Sequence, residues 1–170
     1  MSGRELRLLP AQPLSAEAFA PFGQVIECAG HAGYAINEGS SQRFTDLAQL
    51  EADAEGRLAL SIFRAEARQA PYELHCLEAH PLGSQAFVPL NGQAFLVVVS
   101  TTRPNPSQPD HGSLRVFVSD GRQGINFRRG AWHHPLLALS AGDFLVADRL
   151  GPGENCEAVD ISAWQLGIAH

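Results

Sequence analysis

Short apolar runs recur through the middle of the chain, and each is closed by Gly, Pro or Asn before it grows long. They are RLALSIFRA, YELHCLEAH, QAFVPL, QAFLVVVS, LRVFV, LLALS and DFLVA. Alternating or continuous apolar runs this short, bounded by turn formers, are the pattern of strands. Asn91-Gly92 and Asp120-Gly121 read as hairpin signals, and Ala141-Gly142-Asp143 as a third turn. Helix is scarce. Ser15 can cap a turn through AEAFA before Pro21 and Gly23 stop it, and Leu47 to Ala54 is predicted as a second short helix. Neither supplies the crossovers of a parallel α/β sheet. The expected fold is mainly β, an antiparallel sandwich or small barrel with a few short helices. TTRPNPSQPDHG, with no large apolar residue, is expected as an exposed excursion between two strands.

With 170 residues, one domain spanning 1–170 buries about 70% of its unfolded surface and needs no covalent staple. Cys28, Cys76 and Cys156 are odd in number, widely spaced and without a CxxC pair. That argues against a disulfide framework or thiolate zinc, and for a reducing, cytoplasmic setting. No secretory signal is visible, and AFLVVV falls far short of the roughly 20 residues of a membrane-spanning helix. A formal charge of −6 disfavours nucleic acid, whose phosphates are bound by clustered basic residues. All 12 basic residues are arginine. With no lysine there is no Schiff base and no ordinary pyridoxal chemistry, and no nucleotide cofactor is expected. Arginine's planar fork suits a small carboxylate better than lysine would.

Two fragments concentrate chemistry, EAHPLGSQAFVPLNG and RRGAWHHP. Glu78 and His80 are two apart and leave one face of an extended strand. Gln85 follows, and Arg128, Gly130 and His133 are spaced as a turn delivering a histidine onto the next strand. Glu78, His80, Gln85 and His133 form a ligand set for a divalent metal, with zinc, nickel, manganese and iron all compatible. Open positions on such a metal would accept substrate oxygens. Glu78 has a second reading as a general base or acid, its pKa moved toward neutrality by burial. Trp132 and His134 are expected on the opposite face from His133, and Cys76, on the face of Glu78, as a small core residue.

Glu78-x-His80, Gln85 and Gly92 resemble the first cupin motif, with Glu78 standing for a histidine and Gln85 for the glutamate; RRGAWH resembles the second. More closely, HPLGSQAFVPLNG, VFVSDGRQGINFRRGAWHHPLLAL and ADRLGPGENCE resemble the ureidoglycolate lyase family, as do LSAEAFAPFGQVIE and INEGSSQRFTDLA. The resemblance covers nearly the whole chain. It implies a cupin-like β-barrel, or double-stranded β-helix, homodimeric, that cleaves (S)-ureidoglycolate to glyoxylate and urea in allantoin degradation. Nickel is the metal associated with the family, and a metal-free site is the alternative. In this setting Arg43, in the family-like QRFTDL, and Arg64, ending an apolar strand, are the expected carboxylate clamps. Asn37 would bind the ureido group, with Gln85 also on the substrate, and Asp148 would orient a histidine or an arginine. The alternatives are an amidohydrolase releasing ammonia, another metal-dependent cupin enzyme, or a carboxylate-binding protein without catalysis.

Overall fold

Two antiparallel-dominated sheets face each other in the computed structural model, which describes residues 5–103 and 107–170. The larger sheet has the order Glu157–Asp160, Cys76–Ala79, Trp132–His133, Phe95–Ser100, Arg115–Val118, Arg7–Pro13, Leu166–Ala169 and Tyr72–Glu73, with Leu137–Ala138 also on Phe95–Ser100. Gly23–Ile26, Gly124–Phe127, Gln85–Pro89, Gly142–Leu150 and Arg57–Ala65 form the other. This is the mainly β, cupin-like architecture that the sequence predicts.

Several consecutive strands cross from one sheet to the other, and those crossings overturn one expectation. Asn91-Gly92 joins Gln85–Pro89 to Phe95–Ser100, and Asp120-Gly121 joins Arg115–Val118 to Gly124–Phe127, each a passage from one sheet to the other. Neither closes a hairpin. The Ala141-Gly142-Asp143 turn makes the same kind of crossing. These corners pack together: Asp143 N donates to Asn91 Oδ1 at 2.9 Å, and Gln93 Nε2 to Asp143 O at 2.7 Å. Gly121, at φ +87°, lies so near that a Cβ would sit 2.1 Å from the Gly92 carbonyl oxygen, so only glycine fits.

At the other end lie the connections 80–84, 128–131 and 151–156. Gly130 N donates to His80 O at 2.9 Å and Leu82 N to Asn155 Oδ1 at 2.8 Å. The barrel therefore has a corner end and a second end where the polar motifs gather.

Between the sheets lies a phenylalanine-rich core of Phe19, Phe22, Phe87, Phe95, Phe117, Phe127 and Phe144 with Val97, Val99 and Val146. Phe19 arrives on the one-turn helix Ala16–Phe19, capped by Ser15, whose Oγ accepts from Ala18 N at 3.3 Å. It meets Phe117 edge-on at 5.8 Å. A second core, including Leu77, Val98, Val116, Trp132 and Ile168, lies on the other face of the larger sheet. Full burial of each such side chain stabilises the fold by about 1.5–3 kcal/mol.

Residues 47–54 are not the predicted helix. Their backbone groups pair across to another segment: Ser84 N donates to Glu51 O at 3.0 Å, and Asp53 N to Leu82 O at 2.9 Å. Arg149, its side chain 1% exposed, clamps this segment through Asp53 at 2.8 Å. In TTRPNPSQPDHG, Thr102–Arg103 pairs with Gln108–Pro109 as a short ribbon, and 104–106 lie outside the described residues.

Candidate metal and substrate site

Sheet register explains why Glu78 and His133 meet. They are direct partners across the antiparallel pair Cys76–Ala79 and Trp132–His133, and opposed residues leave the same face with Cβ atoms about 5 Å apart. Leu77, Ala79 and Trp132, one step out of phase, enter the back core. His80, just beyond the strand, completes a cluster in which one ligand atom from each of Glu78, His80 and His133 lies within 4.8 Å of the others.

Both imidazoles have a fixed tautomer. His80 Nδ1 donates to the Asn155 carbonyl at 2.7 Å, and His133 Nδ1 to the Ala131 carbonyl at 2.9 Å. In the neutral rings this leaves the lone pair on Nε2. Both Nε2 atoms are buried without a hydrogen-bond partner. They converge on Glu78 Oε1, His133 at 3.4 Å and His80 at 3.8 Å. Two orphaned imidazole nitrogens facing one carboxylate oxygen, each ring anchored by a carbonyl, fit a divalent metal. Phe127 stacks on the His133 ring at 3.9 Å and 12°, fixing its plane.

Gln85 and Asp148 come from the other sheet, where they are register partners. Gln85 Nε2 donates to Asp148 Oδ2 at 3.2 Å, and Gln85 Oε1 is buried without a partner. Asp148 thus sets which end of the amide is left free, offering an oxygen rather than an NH2.

The electrostatics correct one expectation. The His133 and His80 imidazoles that face it hold the Glu78 carboxyl far below the usual carboxylate range, although burial pushes it up. Its pKa does not move toward neutrality. Burial pulls His80 down, but the Glu78 carboxylate and the Asn155 carbonyl outweigh it and raise the imidazole above its ordinary value. His134, pushed down by burial, also departs from its expected placement. It lines a small cavity with Phe87, Phe95, Phe127 and Leu136 of the inter-sheet core. Pro135 follows it and the strand ends at His133, so strict alternation stops there.

Three nominated residues are not brought to the cluster. Arg64 is forked onto Asp143 at 2.9 and 3.0 Å with its side chain 81% exposed. Asp143 lies at the corner end, five residues along the strand from Asp148 and so about 17 Å away. Asn37 and Arg43 are exposed on the hairpin formed by Tyr34–Ile36 and Ser41–Arg43. Two contributors escaped the sequence reading. Asn155 holds His80 through its carbonyl and Leu82 through its side chain, and Cys156 places Sγ 3.8 Å from Glu78 Oε2. Their signal was present in the family-like ADRLGPGENCE, but nothing local ties that segment to His80.

The family model described as ureidoglycolate lyase matches residues 6–167. A ureidoglycolate lyase of Pseudomonas fluorescens strain Pf-5 is 53% identical over 154 residues, covering 89% of this chain and 90% of the relative. Relatives of the same name from Pseudomonas entomophila and Pseudomonas aeruginosa strain LESB58 are 51% and 50% identical over 89% of this chain, covering 90% and 89% of their own lengths.

Proposed function

We infer the reaction from one premise: the chain belongs to the ureidoglycolate lyase family. Identity of about half over 89% of the chain is the observation that carries the reading. The protein is a carbon–nitrogen lyase, one catalytic unit that converts (S)-ureidoglycolate to glyoxylate and urea in allantoin degradation. It works as a cytoplasmic homodimer. Three unpaired cysteines accord with a reducing compartment, and no helix among the described residues is long and apolar enough to cross a membrane.

Glu78 Oε1, His80 Nε2 and His133 Nε2 would hold a divalent metal, nickel in this reading, with Gln85 Oε1 as a further oxygen donor. Such an ion supplies Lewis acidity to the substrate's hydroxyl and charge neutralisation to its carboxylate. Cleavage then needs one proton removed from the hydroxyl and one delivered to the departing nitrogen, so that urea leaves neutral. In this reading Glu78 serves both transfers. Its Oε1 faces the imidazoles, while Oε2, which accepts only the Cys156 thiol at 3.8 Å, takes the hydroxyl proton and returns it to the nitrogen. The electron pair left on oxygen forms the aldehyde as the carbon–nitrogen bond breaks, and no water is consumed. Asp148 holds Gln85 in its working orientation.

Purified protein incubated with (S)-ureidoglycolate is expected to release urea and glyoxylate in equal amounts. Stoichiometric ammonia without added urease, and no urea, overturns the lyase reading in favour of an amidohydrolase.

A further inference from the structure

A cleft of about 690 Å³ opens beside the barrel mouth without including Glu78, His80 or His133. Its lining includes Gln24, Gln49, Glu51, Arg128 and Arg129. It belongs to the opposite face of the smaller sheet: Phe127 and Gln85 point between the sheets, whereas Asn126, one step out of phase and paired with Gln24, points away.

The cleft's polar groups are arranged with unused capacity. Arg128 Nη2 donates to Ala20 O at 2.5 Å, and Arg129 Nε donates to Pro81 O. Each guanidinium is thus tethered by a single backbone acceptor, with most of its five N–H donors left over. Neither is in an ion pair among the described residues. Asp53, an acid whose charge Arg129 feels, is already forked by Arg149.

Gln24 is oriented as firmly. Its Oε1 accepts from Asn126 Nδ2 at 2.8 Å and from Gln49 N at 3.2 Å, which leaves its NH2 without a partner among the described residues. Asn126, fully buried, spends its other N–H on Gln49 O at 3.0 Å and keeps an unpartnered Oδ1. Glu51 is fixed through its backbone to Ser84, and its carboxylate takes no hydrogen bond or ion pair among the described residues.

We propose that this cleft is a second binding site, distinct from the metal cluster, for a small carboxylate that carries a carbamoyl-amino group. Arg128 and Arg129 take the carboxylate, the Gln24 amide NH2 donates to the ureido carbonyl, and Glu51 accepts from the ureido N–H groups. The lyase's own substrate is the matching molecule. That identification rests on the lyase reading, whereas the chemistry of the cleft does not. Gly130 and Pro81, also in its lining, adjoin the segments bearing His133 and His80, so a ligand held here waits at the rim of the site.

The probe is N-carbamoylglycine, which has the carboxylate and ureido group but no hydroxyl to cleave. Calorimetric titration of the full chain is expected to show binding that persists in His133→Ala. Affinity falls about tenfold or more in Arg128→Gln/Arg129→Gln, the loss expected for one charge-assisted carboxylate contact. Gln49→Glu, which deletes no side-chain hydrogen bond and adds a carboxylate to the cleft that Arg128 and Arg129 line, is expected to weaken binding similarly. Acetate and urea, each with half of the recognition elements, bind at least about tenfold more weakly. Three outcomes overturn the proposal: no binding to the wild type, acetate binding as tightly as N-carbamoylglycine, or binding abolished by His133→Ala in a folded protein and untouched by Gln49→Glu. A wild type that binds the probe but releases no urea from ureidoglycolate removes the lyase reading and leaves the site standing.

Discussion

His133 and Glu78 face each other directly across an antiparallel pair, with His133 Nε2 3.4 Å from Glu78 Oε1 and no hydrogen-bond partner for that nitrogen. A buried imidazole lone pair aimed at a carboxylate has two stable completions, a proton or a metal ion.

Metal content separates these completions. Protein purified without chelator is expected to carry about one divalent ion per chain, and His133→Ala to carry almost none, by elemental analysis. Asn155→Ala, which keeps the carbonyl on His80 but frees Leu82 N, is expected to weaken metal affinity by about tenfold through loss of support behind the ligand.

Without metal, stability follows the two titrations. Glu78 is depressed in the folded state, so its contribution is present above its unfolded value of 4.5 and is lost as pH falls through the lower folded value. His80 is raised, so its contribution is full below 6.5 and is lost as pH rises through the higher folded value. The difference in denaturant midpoint between chelated wild type and Glu78→Gln, which isolates the pair from other titrations such as His134, is expected to be largest between pH 4.5 and 6.5. In Glu78→Gln both flanks should flatten; unchanged curvature in that variant contradicts the linkage.

Phe127 contributes both to the inter-sheet core and to the orientation of His133. Phe127→Ala is expected to cost about 3–5 kcal/mol in denaturant unfolding, and kcat to fall further than the loss of folded protein explains. Phe127→Leu should recover most of the stability while leaving the ring unstacked.

Arg64 is an exposed partner of Asp143 at the corner end. Urea release by Arg64→Ala is therefore expected to match wild type in both kcat and KM. A large rise in KM would return Arg64 to the substrate.

Arg149 is different, because its buried guanidinium clamps Asp53 and with it the segment 44–56. Arg149→Met is expected to lower the melting temperature and to expose that segment to limited proteolysis, as cutting within 44–56 would show.

The apolar runs located many of the strands, and Arg57–Ala65 matches its run residue for residue, although its alternating Leu58, Leu60 and Ile62 lie exposed. Glu78, His80, Gln85 and His133 were legible as donors of the right chemical type. Asn91-Gly92 and Asp120-Gly121 were legible as turns, but a turn fixes only a change of direction. Whether the next strand pairs with the last or crosses to the opposing sheet depends on distant partners, since strand pairing is non-local. Pairing with Gly142–Leu150 sends Arg64 to the corner end, and the 151–156 connection brings Asn155 to the imidazole. Register also sets the state of Glu78, where burial was expected to move its pKa toward neutrality and two imidazoles outweigh it. The sequence by itself determined the repertoire of strands and donor groups. Only the tertiary structure decided which donors share an end of the barrel, because register between segments far apart in the chain sets those distances.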